Sequence, residues 1–189
     1  MRKLLPFLFV PVLAGCLSSR PVSTVNWLVV PVNGDFVAAS EPSFGEARLA
    51  IISVRAPFDR KEIAVLRPDG SVAFDPVNQF ASIPNALLRG TALDVLRGTG
   101  LFRGVQPAVT TADVKTNLEL IVDEFALDCR NEGERKAVAR VTLVMIENRQ
   151  VLSAKRGVGE TDAAEGNYSA AFGSAFAKAV ASAAGQLRK

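Results

Sequence analysis

The chain has 189 residues, 49% of them hydrophobic, with 22 basic and 19 acidic side chains and a net charge of +3. That near balance, with no long Lys/Arg cluster, gives no support to nucleic-acid binding. Histidine is absent, which excludes His-dependent triads, His general bases and His metal sites.

The chain opens with Arg2 and Lys3, an apolar run from Leu4 to Val12, and then Leu13-Ala14-Gly15-Cys16. A positive start, a short apolar stretch and small residues at a cleavage point make a secretory signal. The run is shorter than the ~20 residues of a membrane-spanning helix. Small residues followed directly by Cys resemble the lipobox of bacterial lipoproteins. That resemblance implies that Cys16 is acylated and becomes the first mature residue. The competing reading is a Cys within the apolar stretch of an ordinary signal peptide.

On the lipoprotein reading, residues 1–15 are the signal peptide, 16–24 the lipidated Cys and a tether, and 25–189 one folded domain. Burying acyl chain gains about 0.8 kcal/mol per methylene, and stable anchoring takes more than one chain. The polar tether 17–24 reaches under about 30 Å, so the domain works close to its bilayer. Leu17 stands where an Asp resembles an inner-membrane retention signal, which favours the outer membrane. The mature part keeps 20 basic against 19 acidic groups, a net +1, and is long enough for one core. Its second cysteine, Cys129, has no internal disulfide partner once Cys16 is acylated, and reads as a small strand residue.

Val25–Val32 reads as a strand ending near Asn33-Gly34, and 35–46 as a loop. Arg48–Arg55 and Glu62–Arg67 read as strands. Pro68-Asp69-Gly70-Ser71 is a turn, since Pro presets φ and Gly supplies a positive one, so 62–75 is a hairpin. Ile83–Gly98 reads as a helix with Ser82 as N-cap and Pro84 in its first turn. A short strand begins at Leu101. In Leu118–Cys129 the apolar positions are 118, 120 and 122, then 125, 127 and 129, and this slip of phase predicts a β-bulge near Asp123-Glu124.

Glu132-Gly133 turns the chain into a central strand, Ala137–Ile146, and Asn148-Arg149-Gln150 turns it into Val151–Gly159. Glu160-Thr161-Asp162 and Glu165 read as a loop. The last helix, Asn167–Leu187, carries a core stripe of Tyr168, Phe172, Phe176, Val180, Ala183 and Leu187. A second face of small residues (Ala170, Gly173, Ala177, Ala181, Ala184) admits close packing against a sheet or a second copy of the chain. The order predicts a single α+β domain, a mainly antiparallel or mixed sheet with two helices packed on it.

No catalytic set emerges. There is no phosphate-binding Gly-rich loop with Lys and Ser/Thr, and no dinucleotide fingerprint follows a strand. Asp123 and Glu124, adjacent in a strand, point to opposite faces. The expectation is a non-enzyme with no cofactor, no metal and no nucleic-acid partner.

Residues 48–105 hold the most specific pattern. The strand Leu49-Ala50-Ile51-Ile52-Ser53-Val54 runs into Ala56-Pro57-Phe58-Asp59-Arg60, then Glu62–Arg67, a hairpin, Phe80 and the helix. The segment closes with Leu96-Arg97-Gly98-Thr99-Gly100-Leu101-Phe102-Arg103-Gly104-Val105. This pattern, with Val25-Asn26-Trp27-Leu28 soon after the lipidated Cys, resembles the ABC-type transport auxiliary lipoproteins, the PqiC-like family. Phe80 stands where that family often has Trp, and the loop before residue 47 is long for it.

The resemblance implies a non-catalytic lipoprotein of an MCE-type lipid-transport system, docking the periplasmic MCE-domain protein from the outer membrane. Phe58, Asp59 and Arg60 are its family-like partner-binding positions. The plain alternative is that Asp59 caps a turn and Arg60 is solvated or paired with Glu62. Other functions open to such a chain are an LptE-like or LpoB-like envelope-assembly lipoprotein and a direct lipid-binding carrier.

Overall fold

The computed structural model describes residues 24–31, 38–111 and 113–188. The predicted signal peptide, Cys16 and all but the end of the tether lie outside them. The elements are β1 (Asn26–Leu28), β2 (Phe44–Val54), β3 (Glu62–Leu66), β4 (Val72–Phe80), α1 (Pro84–Gly98), β5 (Phe102–Pro107), β6 (Thr116–Asp128), β7 (Lys136–Glu147), β8 (Gln150–Asp162) and α2 (Tyr168–Gly185), then a 3-10 turn, Gln186–Arg188. The eight strands form one mixed sheet on which both helices pack, which is the α+β domain expected.

β6 is the spine of that sheet. One of its edges pairs antiparallel with β7 from Thr116 opposite Glu147 to Asp128 opposite Lys136. Its other edge is shared between two parallel partners. β2 takes the first half, ending with Val54 beside Val122, and β3 takes the end, from Ala64 beside Ala126. β2 and β3 therefore lie end to end along one edge, and the sheet forks there. β5 lies outside β2, while β4 and then β1 lie outside β3.

The fork coincides with the predicted bulge, where register slips between Val122 and Glu124. An uninterrupted strand would turn Phe125 away from Leu120 and Val122. The slip brings it inward instead, where its ring lies 5.1 Å from Phe80, 4.9 Å from Phe172 and 6.1 Å from Phe176. Stacked and edge-on pairs at these spacings add about 0.5–1.5 kcal/mol each beyond their burial. The cluster joins the end of β4, the spine and α2.

α2 presses backbone to backbone on β8 at two glycines. A Cβ on Gly157 would fall 1.9 Å from the Ala179 carbonyl oxygen, and one on Gly159 would fall 1.9 Å from that of Ala175. The helix residues that lie on the sheet glycines are Ala175, Ala179 and Ala183, which are outside the expected face of small residues. Of that face, Gly173 admits the segment before the first loop, its α-hydrogen facing the Pro31 carbonyl. Ala170 is exposed. α2 and the 3-10 turn after it also occupy two carbonyls of β8. The Gln186 amide donates to the Arg156 carbonyl at 2.7 Å and the Lys178 ammonium to that of Glu160 at 3.1 Å.

Several boundaries differ from the sequence reading. β1 spans three residues, because Val30 turns off to the helices, where its carbonyl accepts the buried Thr91 hydroxyl at 2.9 Å. β2 starts at Phe44, inside the expected loop, where it pairs with Phe102 of β5. β4 runs on to Phe80, past the expected end of the hairpin, because β1 pairs with its last residues. Glu160–Asp162 belongs to β8. The α1 N-cap is Ile83, with no side-chain cap bond, so Ser82 does not cap it. The turn chemistry matches expectation: Gly70 has φ +80°, its N–H donates to the Arg67 carbonyl, and Asn148 and Arg149 both have positive φ.

Gly90, in the middle of α1, is exposed and has nothing within 4 Å of the point a Cβ would occupy. Gly90→Ala should raise stability by about 0.5–1 kcal/mol through lost unfolded-state freedom, read as a Tm increase of about 1–4 °C.

Candidate functional site

The family-like residues sit on the excursion 55–61 that fills the gap between β2 and β3. The chain leaves β2 with the Arg55 N–H donating to the Val122 carbonyl at 3.0 Å. The Arg55 guanidinium lies 3.1 Å from one Asp123 oxygen, and the Thr142 hydroxyl donates to the other at 2.7 Å. The bulge carboxylate thus ties the root of the excursion to the spine and to β7. The Ala56–Pro57 peptide is cis. Glu124, the other half of the adjacent acidic pair, meets Arg140 at 3.4 Å.

The three residues divide by exposure. Phe58 is half-buried and packs against the core, whereas Asp59 and Arg60 are exposed. The Arg60 guanidinium lies 3.4 Å from Glu62 and 4.4 Å above the Phe74 ring centroid. The Glu62 carboxyl is held below its usual range, first by its own backbone N–H and further by the Arg60 charge. Arg60 thus pairs with Glu62 and stacks on Phe74 at the surface, with Asp59 beside it. The excursion offers a charged tip on an aromatic root.

A second feature lies at the far end of the spine. A half-open cleft of about 710 Å³ is bounded by the β1–β4–β3 arm and the start of α2. Its apolar lining includes Leu28, Val65, Ala73, Phe74 and Leu127, and Cys129 joins them. Leu127 is buried and Val65 half-buried beside it, the two being register partners. Arg67 and Arg135 are the cations of the lining. Arg135 donates to the Tyr168 hydroxyl at 3.4 Å, and among the described residues no carboxylate forms an ion pair with either guanidinium.

Asp75 also lines the cleft, but its oxygens are committed. One accepts the N–H groups of Val77 and Asn78 and the other the Asn78 amide. Burial works to raise the Asp75 pKa, and these donors outweigh it and lower it. Burial pushes the Cys129 thiol up, so it is no activated nucleophile. Sequence reasoning missed the cleft because its parts come from five separated stretches. Cys129 and Arg135 flank the Glu132-Gly133 turn, and their shared side emerges only once β3 is laid beside β6.

Among the described residues no group of His, Cys, Asp and Glu could hold a metal, and no helix is long and apolar enough to cross a membrane. No protein-family model and no curated protein matches the chain. Its fold is similar to that of a solved Xanthomonas campestris protein of family DUF330. The TM-score is 0.62 at 15% identity, covering 87% of this chain and 92% of that one. A second solved structure, of an uncharacterised protein, gives 0.61 at 13% identity, covering 87% and 96%. Likeness at such identities is one of fold.

Proposed function

We propose that this chain is a non-catalytic, lipid-anchored envelope protein that docks the periplasmic MCE-domain protein of an ABC-type lipid-transport system, working near the outer membrane. The observation that carries the reading is Leu13-Ala14-Gly15-Cys16 standing ten residues ahead of β1. An anchor at Cys16 would keep the domain within about 35 Å of the bilayer. Two further features support it. The strand–Pro-Phe-Asp-Arg–strand order of the auxiliary lipoproteins falls on a surface excursion, and the fold is shared with a DUF330 protein along most of the chain.

The test is affinity purification of the tagged full-length protein from its native envelope, with mass spectrometry of what accompanies it. An MCE-domain protein with its permease and ATPase supports the reading. An outer-membrane barrel or a cell-wall synthase in their place overturns it. Arg60→Ala should leave the fold intact, since its ion pair is exposed and worth about 0–1 kcal/mol. It should reduce recovery of the MCE protein about tenfold, the loss of one Arg hot spot. Equal recovery from the variant would remove Arg60 from the interface.

A further inference from the structure

The cleft at the end of the spine has a chemistry that partner docking does not use. Its floor is aliphatic, with Leu127, Val65 and Ala73 side by side across three strands and Leu28 also in the lining. Its cations, Arg67 and Arg135, form no ion pair with a carboxylate among the described residues. Asp75 accepts hydrogen bonds from Val77 and Asn78 within β4, while its charge also acts on Arg135 over a longer range. Glu165 is the other carboxylate of the lining; it is exposed and lies in no ion pair among the described residues. The size falls within the ~300–1,000 Å³ of small-ligand pockets, which pair apolar walls with a few convergent polar groups.

We propose that this cleft binds an amphiphile with an aliphatic chain and an anionic head, the chain over Leu127 and Val65 and the head against Arg135 and Arg67. An uncharged apolar ligand would draw nothing from the two exposed guanidinium groups beside it, and a free anion nothing from the aliphatic floor. Guanidinium bonds to carboxylate or phosphate are charge-assisted and roughly twice as strong as neutral ones. Glu165 opposes the head and weakens its hold. The Tyr168 hydroxyl, already in contact with Arg135, fixes the guanidinium at the mouth. The inference is independent of what the 55–61 excursion meets.

Cys129 makes the cleft its own reporter, because the thiol is part of the lining and half-buried. The full-length protein in phosphatidylcholine vesicles is treated with N-ethylmaleimide, and modification of Cys129 is followed by peptide mass. Dodecanoate at about ten times its Kd should slow modification about tenfold. Dodecanol and inorganic phosphate at the same concentration should each protect far less. Arg135→Glu should weaken dodecanoate protection about tenfold or more, the loss of one charge-assisted bond, and Glu165→Gln should strengthen it.

Vesicles containing phosphatidylglycerol, without added dodecanoate, separate the two sources of such a ligand. Protection there, relieved by Arg135→Glu, assigns the cleft to membrane lipid; protection by dodecanoate alone assigns it to a soluble amphiphile. A Cys129 rate unchanged by both, protection equal in Arg135→Glu, or protection by phosphate equal to that by dodecanoate would overturn the proposal.

Discussion

Gly157→Ala and Gly159→Ala should each lower stability by about 3 kcal/mol, and the double variant should lose its cooperative thermal transition. The cause is the contact between α2 and β8. Each new methyl would meet a helix carbonyl oxygen at 1.9 Å and a helix N at 2.7 Å. These are backbone atoms of consecutive helical turns, so no side-chain rotation relieves the clash. α2 must lift from the sheet, and lifting it parts Phe172 and Phe176 from Phe125. At the 2–4 °C per kcal/mol of a domain this size, each single variant should lose roughly 10 °C in Tm, measured by circular dichroism. Gly45→Ala is the matched control, since a Cβ there has nothing within 4 Å. An unchanged Tm for Gly157→Ala would mean that the helix does not rest on β8 as described.

Cys16→Ala should move the protein from the membrane fraction to the soluble one almost completely. On the proposed function, the acyl chains on Cys16 contribute about 0.8 kcal/mol per buried methylene, and the substitution removes all of it. No described helix is long and apolar enough to span a bilayer. Fractionation with and without a high-salt wash is the measurement, because a lipid anchor resists salt where an electrostatic contact does not. A variant that stays in the membrane pellet would remove Cys16 as the anchor. It would leave Trp27, exposed on β1 with the Lys61 ammonium 5.5 Å from its ring, as the apolar group beside the tether to test next.

The sequence carried the elements well where periodicity was clean. The slip of phase at Asp123-Glu124 announced the bulge, the Tyr168–Leu187 stripe announced the buried face of α2, and Pro68–Ser71 announced its turn. It failed where the reason lay in another part of the chain. The extension of β4 to Phe80 needs β1 as a neighbour, and the start of β2 at Phe44 needs β5. Gly157 and Gly159 look like strand weakeners until the helix backbone is laid on them. The same holds for the sites. Pro57–Arg60 was legible as one local run, although its position between two collinear strands was not. Arg67, Arg135 and Leu127 share a cleft only through the parallel pairing of β3 with β6.

The side-chain bonds from Gln186 and Lys178 to the outer carbonyls of β8 bear on crowding. A thirteen-residue border strand with exposed Val151, Leu152 and Val158 is the sort of template on which copies of a chain polymerise. Here two of its acceptor groups are already spoken for by the chain's own last helix. Domains anchored as proposed would meet one another on a two-dimensional surface at concentrations far above those in free solution, and a border guarded in this way would oppose their knitting into fibres.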